Sequence, residues 1–432
     1  MPRLAAWHRA FATVAGLTLV SRVLGFGRDL ILAAVLGTGP VAVAFMLAFR
    51  LSNQLRALVA EGAFTAAFQP IDARLPPDSA EAQRFRAETL GWLLLGNLVL
   101  LVVVLAVPGA VLRLLAPGFG PDDPVHLLAR DLLRLTFPFL LCISLVAYFG
   151  ARLGSQGRFW AFAAAPSVMN LVLIAGLLLA GLSDWPGHVA ALAVLVSGVA
   201  QVALVGWAMQ RAGLAQPWPR LGLSGHTRRF FRNLGPAVLS AGATQVAVFI
   251  DTVLASFLPG GALAHLYFAD RLYQLPIGLI SVALGTVLLP EIARRSAEGG
   301  DGRAPLRQAL AVCAGIGVPI ALVMGLWGAE IIALLFQRGS FTSEDTAATA
   351  QILAGYALGV VPALFVRPLV VQFQGLGDTA TPFRLLLAAL VVNLGCKLAL
   401  VPALGAVGLA LGTSAGTLAY VLLLGWTLRR QG

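Results

Sequence analysis

Twelve times along this chain, an apolar run long enough to cross a lipid bilayer is followed by a short polar break, and that recurrence leaves few folds open. The runs lie near 11–37, 41–70, 88–115, 127–151, 159–182, 187–210, 233–258, 262–290, 306–336, 346–374, 382–403 and 405–428. About 20 mostly apolar residues in a helix match the hydrocarbon thickness of a bilayer. In lipid every backbone N–H and C=O must be satisfied internally, so runs of this length read as helices. Composition agrees, with 59% hydrophobic and 11% charged residues and a mean hydropathy of +0.87 over 432 residues; soluble domains carry about 25% charge. The expected fold is all-α, a polytopic membrane protein of about twelve transmembrane helices. No connection is long enough to form a separate soluble domain.

The net charge of +11 would suit nucleic acid only if the basic residues clustered on a solvated domain. They sit instead in short connections on alternate sides of the runs. One set, with the termini, holds Arg3, Arg9, Arg74, Arg84, Arg86, Arg152, Arg158, Arg211, Arg220, Arg228, Arg229, Arg232, Arg294, Arg295, Arg303, Arg307, Arg384, Arg429 and Arg430; the other holds little beyond Arg130 and Arg338. Arginine-rich loops face the cytoplasm, so both termini are expected there, with no nucleic-acid partner. The first run continues through Arg22 with no small-residue cleavage site and reads as an uncleaved span.

The basic connection RAGLAQPWPRLGLSGHTRRFFR (211–232) separates two groups of six runs. The expected organisation is an N-lobe at 1–215, a cytoplasmic linker at 216–232 and a C-lobe at 233–432. An internal echo supports it. PSVMNLVLIAGLLL (166–179) followed by GHVAALAVLVSGVA (187–200) parallels LVVNLGCKLAL (390–400) followed by GAVGLALGTSAG (405–416). In both, an Asn-bearing run precedes a run rich in the small residues that let membrane helices approach closely.

Against this apolar background the charged residues within the runs need a reason, because each costs about 2.5–3.5 kcal/mol near the bilayer centre on insertion scales. The first run holds Arg22, Arg28 and Asp29, with Gly25 and Gly27 between the arginines; the second holds Arg50, Asn53, Arg56 and Glu61. The seventh, eighth and eleventh hold Asp251, Asp270, Arg271 and Lys397. Two readings stand side by side: structural ion pairs, or a cationic cavity whose guanidinium forks grip an anionic group. Asp251, Asp270 and Lys397 could equally form an internal charge network. Gly25 and Gly27 either let the first helix bend as a gate or serve tight contact. The three cysteines and five histidines are scattered without metal-ligand or acid–base spacing, so neither a metal nor a catalytic site is expected.

SRVLGFGRD (21–29), AFRLSNQLRALVAEGAFTAAFQP (48–70), APGF (116–119), YFADRLYQLPIGLISVALGTVLLP (267–290), FQRGSFTSEDT (336–346) and GDTATP (377–382) resemble the MurJ (MviN) family of lipid II flippases, within the multidrug/oligosaccharidyl-lipid/polysaccharide exporter superfamily. The resemblance implies a fold of two six-helix lobes and a transporter rather than an enzyme. It implies alternating access, moving the lipid-linked peptidoglycan precursor lipid II from the inner to the outer leaflet. Carried over by motif, the substrate-binding residues are Arg22, Arg28, Arg56 and Arg271. Gly25, Gly27, Asp29, Asn53, Glu61 and Asp270 shape or gate the cavity. No cofactor is implied, with a coupling ion or the membrane potential as the drive; the partners implied are lipid II and membrane lipids, and the expected state is a monomer. The family usually has fourteen spans, the last two forming a groove for the polyprenyl tail, and this chain is expected to lack them. It also has Val43 where relatives often carry an acid and Ser52 where they often carry Pro. A flippase for another polyprenyl-linked oligosaccharide, a cation-coupled drug exporter and a non-transporting shortened scaffold remain alternatives.

Overall fold

The computed structural model describes residues 2–59, 63–297 and 303–430, with side chains for all of these except 2–11, 57–59, 239–241, 243, 244, 281–297 and 303. In chain order the helices are α1 (Pro2–Leu36), α2 (Pro40–Val59), α3 (Ala63–Asp72), α4 (Ala80–Ala106), α5 (Pro108–Leu115), α6 (Pro124–Thr136), α7 (Phe139–Ser155), α8 (Trp160–Ala180) and α9 (Pro186–Arg211). They continue as α10 (Gly225–Ser256), α11 (Ala262–Ala297), α12 (Arg303–Leu326), α13 (Gly328–Phe336), α14 (Ser343–Ala357), α15 (Val360–Gly375), α16 (Ala380–Leu404) and α17 (Ala406–Arg430). Among the described residues each of the twelve apolar runs is helical, and four of them break into two helices. Seven described helical segments are long and apolar enough to cross a membrane, or eight if α14 and α15, bent by 42°, make one span. Helices α1, α2, α10 and α11, which carry most of the charges within the runs, are not among those seven.

The paired helices fall in a pattern. The third and fourth runs of the first six divide into α4/α5 and α6/α7, and the third and fourth runs of the second six divide into α12/α13 and α14/α15. Pro108 explains the first break, since a proline restricts the residue before it and fits the first helical position. The α12/α13 break comes at Trp327 without a proline. The fourth run of each set also ends alike. Gly157 and Gly377 take φ of 71° and 78°, where a side chain would be strained, and the next amides, of Arg158 and Asp378, donate back to Leu153 and Phe373 at 2.9 Å.

By contacts the chain forms two compact units, Met1–Phe249 and Ile250–Gly432, so the division falls inside α10. Residues 212–224 are without regular structure and α10 starts at Gly225. In unit 1, α8 packs on α1 and α9, α2 on α6, and α3 on α7. Phe64, Phe68, Phe85, Tyr148 and Phe230 build its aromatic core. In unit 2, α16 packs on α17, and α11 on α14 and α15. Polarity runs inside out in both. Leu98, Val102, Leu171, Leu179, Leu322 and Val391 are exposed, whereas Asn97, Asn170, Gln201, Asn393 and Lys397 are buried. That is the distribution expected where lipid is the outer solvent.

Candidate functional site

Helix α1 runs without a break through Gly25, Phe26 and Gly27 and sets Arg28 and Asp29 against α8. The Arg28 guanidinium donates to Asp29 Oδ1 through Nε at 3.0 Å and Nη2 at 2.7 Å, and Nη1 donates to Asn170 Oδ1 at 3.1 Å. The amide of Asn170 in turn donates to Ser21 O at 3.0 Å. One asparagine therefore ties α8 to α1 at two points a helical turn or two apart and fixes the plane of the Arg28 fork. A Cβ at Gly25 would lie 3.4 Å from that same Asn170 amide, an ordinary contact, while Gly27 has open space around it. Asp29 is 2% exposed and the Arg28 side chain 12%, so their attraction acts with little solvent screening. Arg28 thus has the acid beside it that the ion-pair reading expects, and is held in a set orientation.

In α2, Arg56 Nε donates to Asn53 Oδ1 at 2.9 Å, three residues back on the same face. Arg22 is exposed and makes no hydrogen bond or ion pair among the described residues. The structure thus joins Arg28, Asp29, Gly25 and Asn170 in one cluster, pairs Arg56 with Asn53, and leaves Arg22 outside both. Glu61 lies outside the described residues. Ser52 is buried, and its hydroxyl donates to Thr136 O at 3.4 Å.

In unit 2, the Arg271 guanidinium stacks over the Tyr267 ring at 4.6 Å, a cation–π contact within one helix. Asp270 accepts from Gln274 Nε2 at 2.6 Å. Asp251 of α10 pairs instead with Lys397 of α16 at 2.5 Å, and Lys397 is wholly buried. Of the three residues that could form an internal charge network, Asp251 and Lys397 pair, while Asp270 bonds Gln274. One turn before Lys397, Asn393 donates to Gly412 O at 3.2 Å, tying α16 to α17.

Asn170 is the residue the sequence reading left out of the site. It had been read there only as half of an internal echo, although a buried amide in an apolar helix must find polar partners and so marks a contact. Arg86 and Arg152, counted there as loop charges, are 6% and 3% exposed.

The model of the family described as "Lipid II flippase MurJ" matches residues 32–432. This protein belongs to the lipid II flippase MurJ family. Among MurJ relatives, "Probable lipid II flippase MurJ" of Rhizobium meliloti is 37% identical over 433 residues, covering 98% of this chain and 81% of that protein. "Lipid II flippase MurJ" of Burkholderia cenocepacia is 31% identical, covering 98% and 84%. The fold is that of a solved MurJ in an inward closed conformation, with TM-score 0.85, 24% identity and 96% and 87% coverage. A multidrug transporter of the MOP superfamily in an inward-facing conformation aligns with TM-score 0.80 at 17% identity, covering 97% of each chain, so the two share a fold.

Proposed function

We propose that this protein is a lipid II flippase of the bacterial inner membrane, with both termini cytoplasmic, working as a monomer by alternating access through a cationic cavity. It moves its cargo without making or breaking covalent bonds, so it is a transporter and not an enzyme. Arg22, Arg28, Arg56 and Arg271 engage the anionic headgroup; Asp29, Asn53, Glu61 and Asp270 set their orientation, and Gly25 and Gly27 give α1 its freedom to move. The membrane potential supplies the drive, at about 2.3 kcal/mol per elementary charge and 100 mV.

The observation that carries this reading is Arg28, a guanidinium inside an apolar helix pair, oriented by Asp29 on one side and Asn170 on the other. A planar fork held in one orientation suits bidentate contact with phosphate oxygens, which a freely rotating ammonium would not give. The test is rescue of a bacterial strain depleted of its own lipid II flippase, with membrane insertion followed in parallel. The parent chain should restore growth, and Arg28→Ala and Arg56→Ala should insert normally and fail. A parent that inserts without restoring growth would turn the assignment toward another polyprenyl-linked cargo.

A further inference from the structure

Residues 212–224, between α9 and α10, are fastened to unit 1 rather than draped over it. The Arg220 amide donates to Ala87 O at 3.0 Å, Trp92 Nε1 donates to Gly222 O at 2.8 Å, and Glu88 accepts from the Ser224 amide at 2.9 Å and the Thr227 hydroxyl at 2.6 Å. Where this segment leaves α9 it roofs a cleft of about 190 Å³ lined by Gln83, Arg86, Arg152, Gln156 and the chain from Gly213 to Pro217.

The two arginines of that cleft differ. Arg86 is neutralised by Asp72, with Nε to Oδ1 at 2.6 Å, and Nη1 donates to Pro77 O at 2.7 Å. Arg152, 97% buried, has no carboxylate within ion-pair distance among the described residues. Its Nη1 donates to Ala215 O at 2.8 Å and Gln216 Oε1 at 3.1 Å, and the Tyr148 hydroxyl is a further neutral partner, so all its hydrogen-bond partners among the described residues are uncharged. A buried guanidinium facing a carbonyl and an amide oxygen is under-compensated, because a buried charge needs both a counter-charge and filled donors. Asp78, the other carboxylate of the lining, is exposed at the rim. The volume bears on the ligand class: pockets for drug-sized molecules run about 300–1,000 Å³, so this one suits a compact anion.

We propose that this cleft binds a phosphate-class anion, either free phosphate or pyrophosphate or the headgroup of an anionic phospholipid, with Arg152 as the main grip and Gln83 and Gln156 as neutral donors. The bound anion supplies the missing counter-charge and braces the 212–224 segment on unit 1. The site is separate from the Arg28 cluster and does not depend on the flippase reading.

Trypsin reads it directly, because cleavage after Arg211 and Arg220 reports how firmly the segment is held. With the purified full-length chain in phosphatidylcholine nanodiscs, millimolar pyrophosphate should slow that cleavage several-fold. Replacing part of the phosphatidylcholine with phosphatidylglycerol should do the same if the lipid headgroup is the source. Arg152→Gln should raise the half-protecting concentration about tenfold, as expected for loss of charge-assisted hydrogen bonds. Since that variant could loosen the segment by itself, Gln156→Ala is the second probe. Its side chain holds no bond to the segment, so cleavage without anion should match the parent while anion protection weakens. Protection by pyrophosphate identifies a free anion, and protection only with phosphatidylglycerol identifies a headgroup. No protection in either arm, or equal protection in Arg152→Gln, overturns the proposal.

Discussion

At the scale of single residues, an apolar surrounding forces polar groups into pairs. Asn170 is the sharpest case, since it serves α1 twice and orients Arg28. Asn170→Ala should lower thermal stability by about 1–3 kcal/mol, the cost of orphaning buried partners, and should reduce rescue of the depleted strain even where Arg28 is intact. The Asp251–Lys397 pair predicts a different pattern. Removing one partner, as in Lys397→Met, should destabilise by about 3–5 kcal/mol, and the double change with Asp251→Leu should recover much of that loss. Thermal unfolding of the three variants in detergent checks it. Outside the runs, Asp378 accepts from the Thr381 and Ala380 amides at 2.9 and 3.1 Å, and its bonds to Thr381 hold its carboxyl below the usual range. A carboxyl so lowered stabilises the fold above its ordinary pKa of about 3.9, and that contribution is lost as pH falls through the folded value. Acidification should therefore lower the hydrogen-exchange protection factors at the start of α16, each rate being referred to the intrinsic rate at its pH, and Asp378→Asn should remove that pH dependence.

At the scale of elements, the runs were legible because hydropathy is a property of each segment alone. The breaks within them were only half legible. Pro108 ends a helix, yet Pro166, Pro236, Pro319, Pro368 and Pro402 all sit inside unbroken ones. In a membrane bundle neighbouring groups can satisfy what a proline frees, so the residue alone does not fix the outcome. The site divides the same way. Arg28 beside Asp29 could be read from adjacency, but the bond from Arg28 to Asn170 spans 142 positions and depends on α1 meeting α8. Burial of Arg86 and Arg152 likewise arises from how α4, α7 and the 212–224 segment meet, which charge counting cannot show. Where the sequence echo joined two Asn-bearing runs, the structure adds matching breaks in the third and fourth runs and matching left-handed glycines at the ends of α7 and α15. Gly377→Ala should destabilise by about 1–2 kcal/mol through backbone strain, and Gly157→Ala by a similar amount. Equal shifts in melting temperature would mark the two turns as equivalent positions of one repeat.

At the scale of the whole molecule, exposed leucines and valines outside and buried amides and charges inside describe a protein that needs lipid as its solvent. Its extraction into short-chain detergent should therefore lower stability more than mild detergents or nanodiscs do, as melting temperatures compared across the three would show. The fastening of residues 212–224 has a mechanical meaning as well. A slack loop leaves the helices at its two ends free to shift against each other. Here the slack is taken up by bonds to Ala87, Glu88, Trp92 and Arg152, all within unit 1, so the segment acts as a seam that stitches the end of α9 and the start of α10 to α4 and α7 rather than as a leash.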